Sequence, residues 1–403
     1  MLLSFEKALA TVREKLSAVK PCPAAEILPL EAVRGRVLAE DVGADRDYPP
    51  FHRSTRDGYA VRSADTSAAP VMLECRGEVR AGEHFAQTVG AGECVQIMTG
   101  APLPQGADAV VMLEDAHADG TQVRVERRVA PHENVVRQGS EAAAGALVLR
   151  RGRRLGVGEI GLLAAVGKAR VEVFRAPEVS ILPTGDEVVS VEQRPQWFQI
   201  RNSNALALAA QVEMAGGAPR LAGIAPDRKE PLRAMILEAL KADMLLVSGG
   251  VSAGKYDFVA PVLSELGAEF FFQGVAIRPG KPLAFGRVSG KFFFGLPGNP
   301  VSTYVTFELF VRPALALLGG AEYEPPLFLR ARLGMPFRQT HGLTAFLPAR
   351  VEMRDGDPVV ELVGWQGSGD LVGVAAANCF LVVHPEQTEL AAGDWVDVLP
   401  KSQ

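Results

Sequence analysis

From residue 177 to about 320 the chain alternates strand-length apolar runs with helical stripes, and this alternation narrows the possible folds more than any other feature. Residues 179–182 read as a buried strand. The next helix carries Ala205, Leu208, Ala209 and Val212 on one stripe and stops at Gly216-Gly217. A strand near 221–224, a helix near 228–241, a strand at 244–247, a helix near 258–266, a strand at 269–275 and a helix at 301–317 continue the series. Strands and helices taken in turn call for a doubly wound, mostly parallel sheet with helices on both faces.

The flanks follow other rules. Residues 4–19 form a predicted helix that Ser4 can cap, with Phe5, Ala8, Leu9, Val12, Leu16 and Val19 at helical spacing and Pro21 and Pro23 ending it. Between about 45 and 147 short apolar runs (71–75, 94–98, 109–113 and 121–125) are broken by Gly, Pro and Asp, which predicts a small all-β unit. A helical pattern returns at 150–168, so the two helical segments are expected to form one domain with the β unit inserted between them. Glu324-Pro325-Pro326 reads as a linker, and the alternating apolar positions beyond it (330–333, 347–351, 359–362, 379–383) as a small β barrel or sandwich. The expected units are 1–44 with 147–176, 45–146, 177–322 and 323–403. A length of 403 residues alone suggests two or three domains at about 150 residues each.

Composition excludes several classes. A net charge of −5 offers no basic domain for nucleic acid. The four cysteines are scattered without a Cys-x-x-Cys pair, and the six histidines form no ligand pair, so neither a disulfide framework nor a zinc site is indicated. The apolar stretch 372–383 falls short of the about 20 residues that span a bilayer. The N-terminus lacks a basic region followed by an apolar core, so a cytoplasmic protein with no membrane partner is expected.

In an open parallel sheet, ligands bind beyond the carboxyl ends of the strands. That rule selects Thr184-Gly185-Asp186-Glu187, the loop from Ser248-Gly249-Gly250 through Ser252 to Asp257, and Pro297-Gly298-Asn299-Pro300-Val301-Ser302. Arg278 and Lys281 lie on a proline-flanked turn before the last of these. Glycine-rich backbone leading into a helix suits an anion. Asp186, Glu187, Asp227 and Asp257 supply the hard oxygens Mg²⁺ prefers. The set fits a phosphorylated or oxyanionic substrate; the competing reading makes the glycines tight turns and the charges solvated. Gly249 to Lys255 spell G-x-x-x-x-G-K, but Tyr256 stands where a P-loop needs Ser or Thr. Gly156, Gly158 and Gly161 fit G-x-G-x-x-G, but Arg150 to Arg154 precede them in place of a buried strand, so a turn and close helix packing account for them better.

The stretches Ser54-Thr55-Arg56-Asp57-Gly58-Tyr59-Ala60-Val61, Ile97-Met98-Thr99-Gly100-Ala101-Pro102-Leu103-Pro104 and Gly106-Ala107-Asp108-Ala109-Val110-Val111 resemble the β insert of the MoeA family, the molybdopterin molybdenumtransferases related to the gephyrin E domain. The Thr-Gly-Asp-Glu, Ser-Gly-Gly-Val-Ser, Pro-Gly-Lys-Pro-Leu-Ala-Phe-Gly and Leu-Pro-Gly-Asn-Pro-Val-Ser stretches match its central domain in the same order. The resemblance implies four domains, including a molybdopterin-binding fold, and an elongated homodimer whose cleft joins the central domain of one subunit to the C-terminal domain of the other. It implies insertion of molybdate into adenylylated molybdopterin with Mg²⁺-dependent release of AMP, and a molybdopterin adenylyltransferase as substrate donor. By resemblance Asp257, Asp227 and Glu187 are catalytic, Asp257, Asp227 and Asp186 are the metal candidates, and Arg278, Lys281 and Ser302 bind molybdate. Asp57 and Thr99 match insert residues that face the cleft, and Arg137 matches an arginine before a Gly-Glu-Asp stretch that here reads Gly139-Ser140-Glu141; with Gly249, Gly250, Ser252, Pro297, Pro300 and Ser368 they are the further substrate-binding candidates. The family's C-terminal arginine follows a Phe-x pair, but Phe346-Leu347 is followed by Pro348, with Arg350 two residues on. A gephyrin-type binding scaffold and a tungstate-preferring homologue are the alternatives.

Overall fold

The structure, a computed structural model, describes residues 2–18, 24–251 and 257–401. The central unit is built on a six-stranded sheet of β1 (Glu178–Pro183), β2 (Ala218–Leu221), β3 (Met244–Ser248), β4 (Glu269–Gln273), β5 (Ala284–Val288) and β6 (Lys291–Leu296), in the order β2-β1-β3-β6-β5-β4. The first four of that order run parallel, and β5 runs antiparallel to both its neighbours, β6 and β4, so the doubly wound sheet is mostly parallel with antiparallel pairing at one edge. Strand β3 lies between β1 and β6 and is buried throughout, which is why Met244-Leu245-Leu246-Val247 reads as a continuous apolar run rather than an alternating one.

Helices cover both faces. Ser203–Met214 and the long helix Pro300–Leu318 pack on one, with Leu208, Val212, Leu246, Phe294 and Val305 in a common core. Lys229–Ala239 and Val259–Glu265 pack on the other against Leu182, Leu245, Val247 and Phe293. Pro300–Leu318 is apolar and long enough to cross a membrane by composition, yet 72% of it is buried inside the protein, the signature of a core helix.

The N-terminal helix Phe5–Ala18 corrects one expectation. It does not join the helix Val157–Ala165; its buried face of Phe5, Ala8, Val12 and Leu16 belongs to the central core. The Phe5 ring lies 5.8 Å from that of Phe310 and 5.6 Å from that of Phe346, on the barrel. Amphipathic spacing specifies that a helix has an apolar face, not which surface it covers. The discontinuous unit is held instead by antiparallel pairing of Ala25–Pro29 with Arg170–Phe174 and a core of Val33, Leu38, Leu155, Leu163 and Val171. Gly158 and Gly161 also depart from expectation: a Cβ on either would meet nothing within 4 Å, so close helix packing does not explain them.

The insert is a six-stranded sheet ordered Ala109–Met112, Gly58–Val61, Glu93–Ile97, Val71–Val79, Gln122–Val125 and Ala116–Asp119. Gly58 is obligatory there, because a Cβ would sit 1.9 Å from the Val111 carbonyl oxygen. The C-terminal unit is a closed five-stranded barrel: Thr344–Arg354 pairs with both Asp357–Leu362 and Cys379–Val383, and Leu329–Leu333 and Trp395–Pro400 complete the circle. Closure leaves that sheet without free edges.

Candidate active site

Strand order places the predicted loops side by side along one edge of the central sheet. Ala225 bridges to Thr184, which carries Asp227 to the end of β1 beside Asp186 and Glu187. Ser248 at the end of β3 is registered on Pro183 and on Leu296, so Gly249-Gly250 and the Pro297–Ser302 turn follow on neighbouring strands. Antiparallel β5 begins at the same edge, with Ala284 opposite Gly295, and Arg278 and Lys281 precede it there. Read across the edge, the order is Asp227, then Asp186 and Glu187, then the glycine turn with Asp257 beyond it, then the Pro297 turn, then the two cations. At about 4.8 Å between strands, negative and positive ends are separated by about 15–20 Å.

At the acidic end, Asp186 Oδ1 accepts from the Asp227 amide at 3.2 Å. Burial raises the Asp227 carboxyl above its ordinary value, and the charges of Asp186, Glu187 and Asp257 push it the same way. These four carboxylates therefore share one electrostatic site. Among the described residues no three acidic, histidine or cysteine side chains form a closed metal cage, so Asp257, Asp227 and Asp186 are neighbours rather than a complete ligand set.

The glycine turn is packed by Thr184. Gly249 and Gly250 have φ of +98° and +64°; a Cβ on Gly249 would lie 2.8 Å from Thr184 O, and one on Gly250 2.9 Å from Thr184 Oγ1. The Gly249 amide donates to Leu296 O at 3.0 Å, which corrects the expectation that it is free for an anion. Thr184 Oγ1 is buried and has no hydrogen-bond partner among the described residues. Ser252, and with it the Gly254-Lys255-Tyr256 stretch, lies outside the described residues.

Asn204, on the first turn of its helix, ties the edge together: its Nδ2 donates to Ser248 Oγ at 3.0 Å and to Gly298 O at 2.7 Å. Thr303 Oγ1 donates to Pro297 O at 2.6 Å, and buried Ser302 accepts from Thr306 Oγ1 through its carbonyl at 2.8 Å. Sequence reasoning does not find Asn204, since Asn202 is the evident cap and accepts from the Ala205 amide. The barrel reaches this turn from the same chain. Asn299 Nδ2 donates to Ser368 Oγ at 2.7 Å, and the Val301 amide to Ser368 O at 3.0 Å, just after Pro300.

At the cationic end, Ile277–Arg278 pairs in parallel with Thr344 and Ala345 of the barrel. Gly280 presses on the helix beyond Ser302, since a Cβ there would lie 2.7 Å from Thr306 Cγ2. Arg278 and Lys281 are exposed, and their side chains make no ion pair or hydrogen bond among the described residues. Arg350, by contrast, is committed to Glu352 at 2.7 Å. In the insert, Asp57 Oδ1 accepts from the Thr99 amide at 2.6 Å and from its hydroxyl at 2.8 Å, which together hold the carboxyl below its usual range. Arg137 is exposed on another turn of the insert. No hydrogen bond or ion pair among the described residues joins Asp57, Thr99 or Arg137 to the central loops.

Residues 3–167 match the MoeA N-terminal region (domain I and II), 180–317 a probable molybdopterin binding domain, and 330–401 the MoeA C-terminal region (domain IV). The molybdopterin molybdenumtransferase of Bacillus subtilis is 36% identical over 383 residues, spanning 93% of this chain and 89% of its own. The chain belongs to the MoeA family. The Staphylococcus epidermidis member, also named molybdopterin molybdenumtransferase, is 33% identical over 92% of this chain and 90% of its own. The molybdopterin biosynthesis moeA protein of Pyrococcus horikoshii OT3 superposes over 100% of both chains with a TM-score of 0.82 at 30% identity. The MoeA relationship therefore extends through the β insert, the central sheet and the barrel alike.

Proposed function

We propose that this MoeA-family chain is a molybdopterin molybdenumtransferase that inserts molybdate into adenylylated molybdopterin with release of AMP. The observation that carries the reading is the polarity of the sheet edge, with four carboxylates toward one end and, at the other, two cations uncommitted among the described residues. A substrate with phosphates at one end and a reaction partner that is a compact oxyanion matches that order. Asp257 and Asp227, with Asp186, would hold Mg²⁺ through the hard oxygens it favours. When bound, Mg²⁺ neutralises charge on the phosphate being cleaved. Glu187 adds its negative charge beside these carboxylates and strengthens the pull of the site on a cation. The Gly249-Gly250 turn sets the floor of the cleft, and Thr184 Oγ1 offers it an unused hydroxyl.

At the other end, Arg278, Lys281 and Ser302 hold molybdate beside the turn framed by Pro297 and Pro300 and fastened by Ser368. Among the described residues no carboxylate pairs with Arg278 or Lys281, which favours this over a structural ion pair. An arginine fork presents paired donors to oxyanion oxygens, while lysine acts as a point charge. Among the described residues Asp57, Thr99 and Arg137 have no hydrogen bond or ion pair to the loops of their own chain, which favours a homodimer in which a second copy brings them to the cleft. The substrate donor would be a molybdopterin adenylyltransferase, and the reaction cytoplasmic. The experiment is reconstitution: purified protein given adenylylated molybdopterin, molybdate and Mg²⁺ should activate a molybdenum-free molybdoenzyme, and failure with every component present refutes the reading in favour of a scaffold. Tungstate in place of molybdate tests the choice of metal.

A further inference from the structure

Two of the four cysteines, far apart in sequence, meet in the insert. Cys75 on Val71–Val79 and Cys94 on Glu93–Ile97 are direct register partners in the only parallel pairing of that sheet among the described residues. Both side chains enter the same apolar cluster with Leu73, Val61 and Tyr59, so they point to one face. Neighbouring strands stand about 4.8 Å apart, inside the roughly 4.4–6.8 Å Cα separation that a disulfide bridges. The strand register shifts just after Cys75, whose Sγ donates to Gly77 O at 3.3 Å, so the backbone here can adjust.

We propose that Cys75 and Cys94 are a redox-active dithiol that a low-molecular-weight disulfide converts to an intrachain disulfide. Their environments divide the roles. Cys75 is half-buried and meets the oxidant, while Cys94 is fully buried. Burial and then the neighbouring Cys75 thiol push Cys94 up to about 12, so it resolves slowly rather than attacks first. The Cys75 thiolate attacks one sulfur of the oxidant and expels one thiolate. Cys94, losing its proton to solvent, then attacks the Cys75 sulfur of the mixed disulfide and expels the second. Two protein thiols are oxidised and one disulfide is reduced to two thiols. The bond would clamp together the strands on either side of the shift. One of them leads directly to Thr99, the partner of Asp57.

The full chain is incubated with oxidised glutathione, alkylated under denaturing conditions, digested and mapped by mass spectrometry. The expected result is a Cys75–Cys94 linked peptide pair, reversed by dithiothreitol, with buried Cys379 recovered as a free alkylated thiol. In Cys94→Ser protein, Cys75 should instead retain one glutathione. Stable glutathione on wild-type Cys75 with Cys94 still open to alkylation would overturn the proposal, as would two unreacted thiols. The wild-type map decides alone if the variant does not fold.

Discussion

Gly249→Ala places a methyl group where the site edge has no room. The new Cβ would stand 2.8 Å from Thr184 O and 3.0 Å from Thr184 Oγ1, and the backbone would have to keep a φ of +98°. A non-glycine residue in that conformation costs about 1–3 kcal/mol. Crowding against the backbone oxygen of Thr184, a residue held by its bridge to Ala225 and its amide hydrogen bond to Ser248 O, adds about 1–3 kcal/mol. The combined loss of about 2–6 kcal/mol is a large share of the roughly 5–15 kcal/mol of a typical fold. At about 2–4 °C per kcal/mol, the melting transition should fall by about 5–20 °C in calorimetry. Gly298→Ala, on the adjoining turn, is the control: its Cβ would meet only Gly249 Cα at 3.6 Å, an ordinary contact, and stability should hold within about 0.5 kcal/mol. A Gly249→Ala melt within a degree of wild type, or an equal loss for Gly298→Ala, would show that the loops are not packed on Thr184 as described.

Three further outcomes test the charged ends. Asp257→Ala should nearly abolish AMP release at saturating Mg²⁺ while leaving the circular dichroism spectrum unchanged; wild-type turnover would remove it from the chemistry. Lys281→Ala should raise the molybdate concentration for half-maximal AMP release about tenfold, equivalent to ~1.4 kcal/mol, with little change for adenylylated molybdopterin. Thermal stability should not move, because Lys281 has no side-chain partner among the described residues. Asp227 has a carboxyl raised above its ordinary 3.8, so it ionises later in the folded protein than in the unfolded chain. Its effect on stability is therefore most favourable below that value and is lost as pH rises toward the folded one. Asp227→Asn should stabilise the protein at neutral pH and slow AMP release; an unchanged melt across pH would refute the cost of burying this carboxylate among its acidic neighbours.

The alternation of strand and helix in the central unit was legible because both signals are local, a buried run and a helical stripe. Glycine-rich loops after those strands could be placed at one edge by topology alone, and Asp227, Glu187 and Asp186 do meet there. Long-range partners were not legible. The apolar face of Phe5–Ala18 carries no mark of the helix it will cover, and it packs on Phe310. The strand Gly58–Val61 is too short and too uniformly apolar to show a period, though it is buried between two strands of the insert. Trp395–Pro400 closes the barrel through pairing with residues far earlier in the chain. Asn204 and the Cys75–Cys94 pair depend on register between elements, which composition and spacing do not encode.

The most direct test of the central claim is single-turnover stoichiometry with wild-type protein, adenylylated molybdopterin and Mg²⁺, measuring AMP by chromatography and pterin-bound molybdenum by mass spectrometry. The account predicts that adding molybdate releases one AMP for each molybdenum that becomes pterin-bound, and that neither product forms without molybdate. AMP released without molybdenum transfer, or full occupancy by substrate with no AMP when molybdate is present, would contradict it.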